Sequence, residues 1–294
     1  MRARRCGSSG TARSGLRWQW RNCKWSSEDR VSENDGKAKA KATPPLGILA
    51  ALPQELGDLV DAMRAEGTMR TVTLGRRDYH TGTVHGVPCV VTLARVGKVA
   101  AAATAGALIH AFGVGKMVFT GVAGGVGREV RVGDIVVADS LLQHDLDASP
   151  IFPKYEVPLL GRARFDANGA LADRLAAACE RFVTDEGTTL TERFRLDGVR
   201  VHRGMIVSGD RFVSSEAEVR ALALALPDAL AVEMEGAAIA QVCYEHDVPC
   251  AVVRTISDTA DDHAHMSFTS FLTDIAGTYS SGILRRFLDL YAAA

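Results

Sequence analysis

The chain has 294 residues, 47% of them hydrophobic and 23% charged, the proportions of a globular protein with enough apolar material for one full core. Its net charge of −1 hides an asymmetry: residues 1–45 carry 11 basic and 4 acidic side chains, and the rest of the chain 23 and 31. The body is therefore acidic, with no electrostatic reason to bind nucleic acid, and no apolar run approaches the ~20 residues that span a bilayer.

Residues 1–45 are rich in Arg, Ser, Gly and Lys, lack apolar periodicity and close on Pro44-Pro45. They predict a disordered basic extension ahead of a single domain, 46–294. Seven basic and no acidic residues among the first 27 suit a transit peptide, and a mis-assigned start or appended sequence equally well. Without an apolar stretch they are not a secretory signal. From Leu46 the pattern changes. Residues 46–51 read as a short buried strand, and Pro53-Gln54-Glu55 as the start of a helix over 53–66. Strands follow near 71–75, 79–84 and 87–93, then a helix over 99–112. Residues 116–120 read as a buried strand running into the Gly-rich turn 121–125, and 134–139 as another strand. Residues 143–164, with three prolines and little periodicity, read as a long excursion or lid loop. Helices are expected over 171–183, 216–226, 236–246 and 268–291, and strands over 204–208, 229–232 and 251–257. This alternation predicts an α/β three-layer sandwich, with a central mixed, largely parallel twisted sheet flanked by helices. The six cysteines, Cys6, Cys23, Cys89, Cys179, Cys243 and Cys250, form no C-x-x-C pair. They read as small hydrophobes in a reducing, cytoplasmic setting.

Ligands of open α/β sheets bind outside the carboxyl ends of strands. The segments following the predicted strands are Leu52-Pro-Gln-Glu55, Gly121–Gly125, Gly209-Asp-Arg-Phe-Val213, Glu233-Met-Glu235 and Ser257-Asp258. Glu55, Glu235 and Asp258 thus project from one rim. Each alone has an ordinary explanation: Glu55 and Glu235 as first-turn residues meeting a helix dipole, Asp258 as a turn cap. Three together are harder to explain as helix ends. His144-Asp-x-Asp147 and Asp261-Asp-His-Ala-His265 have metal-ligand residue types but no recognised spacing, so no metal is expected. Gly121–Gly125 is not a dinucleotide fingerprint, and Ser208 lacks a nucleophile-elbow frame, so neither a nucleotide cofactor nor a serine nucleophile is indicated.

Seven segments then occur in a telling order: Gly47–Glu55, Val96-Gly-Lys-Val-Ala100, Thr120-Gly-Val-Ala-Gly-Gly125, Val132-Gly-Asp-Ile-Val-Val137, Ile206–Phe212, Ala231-Val-Glu-Met-Glu235 and Arg254-Thr-Ile-Ser-Asp258. The series resembles the methylthioadenosine/adenosylhomocysteine nucleosidases of the nucleoside phosphorylase superfamily over residues 46 to about 290. The resemblance implies a single nucleosidase-like catalytic domain that cleaves the N-glycosidic bond of 5′-modified adenosines and releases adenine. Asp258 would protonate the leaving base, Glu55 would deprotonate the attacking water, and Glu235 would bind the ribose hydroxyls and steady the cationic sugar. Arg254 would stand near the water and the carboxylates. Val96, Val122, Ala123, Phe212, Val213, Met234 and Ser257 would contact substrate, Phe212 by stacking on the purine, the Val213 backbone by reading its edge, and Ser257 by placing Asp258. An isolated Phe212 or Met234 would otherwise read as core packing. No cofactor is implied. A homodimer is, with a neighbouring subunit covering the 5′ group beside the His144–Phe152 segment.

The nucleophile needs its own argument, because the superfamily also holds phosphorylases. Phosphate needs clustered cations, and Ala51-Leu-Pro-Gln-Glu55 places a carboxylate there instead, which favours water. Arg95, where a small residue is usual, could meet an anion; a surface arginine is the plainer reading. Val122 lacks the hydroxyl that a serine would offer. Two alternatives stay open: a phosphate-dependent purine nucleoside phosphorylase, and a non-catalytic nucleoside-binding protein.

Overall fold

The computed structural model describes residues 43–259 and 264–293. The expectation for residues 1–45 lies, apart from its last three residues, outside them, as does most of the Asp261–His265 segment. The first strand shows how the layers form. β1 (Leu46–Ala50) is buried along its whole length. Leu46, Ile48 and Ala50 pack into one apolar cluster and Leu49, with the following Ala51, into another. Period-two alternation with both faces apolar is what a strand buried between two helical layers requires. On one face lie α1 (Leu59–Ala65), α3 (Gly169–Phe194) and α7 (Ala276–Ala292), and on the other α2 (Lys98–Phe112) and α5 (Gly236–Glu245). The three-layer α/β architecture holds.

The remaining strands are β2 (Arg70–Leu74), β3 (Arg77–Val84), β4 (Val87–Leu93), β5 (Lys116–Phe119), β6 (Val122–Gly125), β7 (Ile135–Gln143), β8 (Arg164–Asp166), β9 (Val201–Ser208), β10 (Ala229–Glu233) and β11 (Cys250–Asp258). Their order is β2-β3-β4-β1-β5-β11-β6-β10-β9-β7-β8. Among the described residues six pairings are parallel and five antiparallel, so the sheet is mixed. β11 pairs with β5 and β6 and also, through Val253–Thr255, with β7. Strands β11, β6, β10, β9 and β7 therefore close on themselves, and Gly124 of β6 pairs with both Val232 and Asp258, which brings the ends of β10 and β11 together. None of the described helices is long and apolar enough to cross a membrane.

Several elements differ from the sequence expectation. The helix expected over 53–66 is a 3₁₀ turn, Pro53–Leu56, followed by α1. Gly57 separates them at φ 56°, and a Cβ there would collide with the Ser281 hydroxyl of α7, so the chain breaks where two elements touch. The Gly-rich turn at 121–125 is largely a strand, β6, between β10 and β11. The closing helix over 268–291 is two, α6 (Ala264–Asp274) and α7. α3 runs well past 183 from its Asn168 cap, whose side chain accepts the Leu171 N–H at 3.1 Å. α4 (Glu216–Ala225) is capped in the same way by Ser215.

Candidate active site

A cavity of about 360 Å³ opens at the carboxyl ends of β1, β10 and β11. Glu55, Glu235 and Asp258 all line it, with Val96, Val122, Ala123, Phe212, Val213 and Met234. Nine of the eleven residues singled out in the sequence thus share one wall. Arg254 and Ser257 lie behind it. Ser257, expected among the substrate contacts, is 1% exposed and does not face the cavity. Its hydroxyl bonds the Asp258 Oδ2 at 2.7 Å and approaches the Ala123 carbonyl at 3.3 Å, so it fixes the carboxylate.

Glu55 leaves the 3₁₀ turn and folds back onto the chain. Its Oε2 accepts the N–H groups of Ala51 at 2.9 Å and Leu52 at 2.7 Å, and its Oε1 accepts that of Val122 at 2.9 Å. Val122 contributes through its backbone, for which a serine hydroxyl is not needed. Burial pushes the Glu55 carboxyl above the ordinary carboxylate range, against the opposing pull of Arg254 and the three N–H groups. Gly121 makes the approach possible, because a Cβ there would stand 2.7 Å from the Glu55 Oε1.

Glu235 is the N-cap residue of α5, and its Oε1 accepts the Gly97 N–H at 2.8 Å. Burial, with the neighbouring Glu233 charge, pushes it up to about 8; Gly97 and Arg254 pull the other way, and Glu55 adds to the rise.

Glu233 had no role assigned from the sequence, although it stands inside the Val-Glu-Met-Glu segment. It lines the same cavity and gathers the partners around it. It accepts the N–H groups of Glu235 at 3.1 Å and Gly236 at 2.8 Å, the Ser208 hydroxyl, and Arg254 Nη2 at 2.6 Å. Arg254 is 1% exposed, lies over the Phe119 ring at 3.9 Å and bonds the Val253 carbonyl at 3.0 Å. A buried carboxylate at the end of an otherwise apolar strand was the signal that sequence reasoning passed over. Phe268, also on the cavity wall, packs edge-on against Phe212 with ring centroids 5.6 Å apart.

The excursion 143–164 contributes no described residue to the wall of this cavity within its own chain. Its first residues brace the rim instead: Asp145 meets Lys98 Nζ at 2.5 Å and accepts the Asp210 N–H at 2.8 Å. Arg95 is exposed and donates to the Arg76 carbonyl, away from the cavity. Arg211 is the only cation among the described residues lining the cavity, and it pairs with Glu218. Among the described residues, no cluster of three or more His, Cys, Asp or Glu could hold a metal ion.

The family model described as the Phosphorylase superfamily matches residues 45–289. The chain belongs to the phosphorylase superfamily. This superfamily member is 34% identical over 248 residues to an aminodeoxyfutalosine nucleosidase of Helicobacter pylori, across 83% of this chain and 97% of that protein. It is similar to the crystal structure of a 5′-methylthioadenosine/S-adenosylhomocysteine nucleosidase from Neisseria meningitidis in complex with methylthio-immucillin-A. The TM-score is 0.73 and the identity 33%, over 83% of this chain and 98% of that one. It is also similar to a futalosine hydrolase of Helicobacter pylori, with TM-score 0.70 and 32% identity over 84% of this chain and 98% of that one. By this likeness it stands with the nucleosidases of the superfamily.

Proposed function

We propose that the protein is an N-glycosyl hydrolase that cleaves 5′-modified adenosines, 5′-methylthioadenosine and S-adenosylhomocysteine first among them, to adenine and the free sugar. The observation that carries this reading is the position of Glu55: a buried carboxylate with a raised pKa at the floor of the cavity, where a phosphorylase would need cations. Phosphate entering there would meet Glu55 and Glu233. Arg254, the nearest buried cation, is already bonded to Glu233, and Arg211 to Glu218. A neutral water meets no such repulsion, and a carboxylate of raised pKa suits a general base.

In this mechanism Asp258 delivers a proton to the base nitrogen as the glycosidic bond lengthens. The ribosyl centre becomes cationic, and Glu235 in its ionised form, its proton having passed to solvent before the substrate binds, stabilises it. Glu55 takes the proton from water as it attacks. Phe212 and Val213 hold the purine, and Met234 lies along the ribose. This is the two-carboxylate logic of glycoside cleavage applied to a nitrogen leaving group. The protein acts as a cytoplasmic homodimer in this reading, in line with the buried free thiols Cys89, Cys179, Cys243 and Cys250 and with the sequence resemblance.

A second substrate is favoured by a specific observation: the relative that is 34% identical is named for aminodeoxyfutalosine. The test incubates purified protein with 5′-methylthioadenosine, S-adenosylhomocysteine and aminodeoxyfutalosine in turn, with and without phosphate, and identifies both products. Adenine and free sugar in both buffers are expected. A sugar 1-phosphate formed only with phosphate overturns the hydrolase. Release from aminodeoxyfutalosine alone moves the assignment to that substrate.

A further inference from the structure

We propose that Glu233 is a positioning residue for this reaction: with Ser208 it fixes the direction of Glu235 toward the ribose and holds Arg254 against Glu55. The inference rests on the nucleosidase reading above and assigns work to a residue that this reading leaves idle.

The geometry is specific. α5 begins directly after β10, and the first N–H groups of a helix have no partner within it. Here they are collected from outside. Glu233 takes those of Glu235 and Gly236 at 3.1 and 2.8 Å, and the Ser208 hydroxyl takes that of Ala237 at 2.7 Å. Ser208 in turn donates to Glu233, so the end of β9 and the start of α5 share one carboxylate. The backbone of Glu235 is thereby pinned at its own N–H. Its side chain is pinned from the other side by Gly97, at the start of α2. Glu235 thus has a fixed backbone and a fixed rotamer, as a group that must meet a developing charge requires.

The same carboxylate holds the guanidinium. Arg254 Nη2 lies 2.6 Å from the Glu233 Oε2, and a Cβ on Gly121 would touch both Glu55 and Arg254, which places those two side by side. A helix cap alone would need neither a buried charge nor a buried ion pair, since a serine or asparagine satisfies the same N–H groups at lower desolvation cost. The groups facing Glu235 are Glu233 on β10, Arg254 on β11 and Glu55 on the 3₁₀ turn. Glu233 is faced in turn by His144, from the start of the 143–164 excursion, as well as by Arg254. Of the two like charges that raise Glu235, Glu233 is the larger influence.

The test compares the parent with Glu233→Gln, which keeps the shape and removes the charge. Adenine release is followed from pH 5 to 9, and the Glu235 carboxyl is titrated by ¹³C NMR in the empty enzyme. The parent kcat/KM rises with pH toward about 8 as Glu235 ionises. In Glu233→Gln this limb and the NMR midpoint both move to lower pH by about one unit or more, the effect of removing an adjacent like charge. At pH 8 kcat falls roughly ten- to a hundred-fold with KM within about threefold, because the lost alignment matters in the transition state. A variant with lower thermal stability, an unmoved limb and midpoint, and kcat within about threefold of the parent would show a structural cap and overturn the proposal. If Glu233→Gln does not fold, Ser208→Ala tests the positioning alone, since it loosens the same N–H groups and leaves the charge in place: kcat at pH 8 should fall by a smaller factor with KM within about threefold, and an unchanged kcat overturns the proposal. The NMR midpoint does not need the substrate: if it moves while no adenosine is cleaved, the charge coupling stands and the nucleosidase reading fails.

Discussion

Replacing Glu235 by Gln is expected to abolish activity and stabilise the protein. The folded-state pKa of Glu235, about 8, lies above the ordinary value of 4.5. Stability from the protonated form is therefore full below about pH 4.5 and is lost as pH rises through about 8. At pH 7 the deficit is about two and a half pH units at ~1.4 kcal/mol each, an upper bound of roughly 3 kcal/mol. Gln keeps an oxygen for the Gly97 N–H and carries no charge to desolvate, so it removes most of this deficit. For a domain of this size that is a rise in Tm of about 5–10 °C at pH 7. Thermal unfolding of parent and variant from pH 4 to 9 measures it. The two should melt together near pH 4.5 and diverge as pH rises. A variant no more stable than the parent at pH 7–8, or equally stabilised at every pH, would refute the reasoning. The expected gain is the usual counterpart of a site built for charge rather than for stability.

Three further outcomes follow from the same wall. Asp258→Asn removes the proton donor and should lower adenine release by roughly 10²–10⁴ with little change in KM or thermal unfolding; near-parental kcat would remove Asp258 from the acid role. Glu55→Gln should cost kcat over a similar range while leaving nucleoside binding, measured by calorimetry, within about threefold. Phe212→Ala loses one face of the purine and should raise KM roughly tenfold, a stacking loss of ~1–2 kcal/mol, with kcat much less affected.

The layers were legible because each central strand is apolar on both faces, as β1 shows, and because β/α alternation leaves few topologies. The rim was legible for a related reason: ends of buried strands are short polar interruptions, and Glu55, Glu235 and Asp258 stand in three of them. What sequence could not supply were contacts between distant segments. The break at Gly57 depends on Ser281, and the strand character of Val122–Gly125 on pairing with both β10 and β11. Glu233 was passed over because nothing local distinguishes a carboxylate that faces substrate from one that faces an arginine 21 positions away. Phe268 lies in a segment whose helical periodicity hid its place on the cavity wall.

Gly121 joins the two lessons. In the sequence it is one of several glycines in a turn-like run, where backbone freedom is the obvious explanation. In the structure its φ is 159°, a conformation that L side chains rarely adopt, and the missing side chain has a value of its own. A Cβ would stand 2.7 Å from the Glu55 Oε1 and 3.2 Å from Arg254 Nη1. Neither neighbour is free to retreat: both Glu55 oxygens are held by backbone N–H groups, and Arg254 by Glu233 and the Phe119 ring. Gly121→Ala should therefore displace the Glu55 carboxylate by up to about an ångström while leaving the cavity open. Displacement of that size from a near-attack position costs roughly ten- to a hundred-fold in kcat, with KM nearly unchanged. Gly169→Ala, where a Cβ meets nothing within 4 Å, is the control and should leave kcat at the parental value. If Gly121→Ala retained parental kcat, the position of Glu55 would not be what limits the reaction, and the water-activating role would have to pass to another group on the wall.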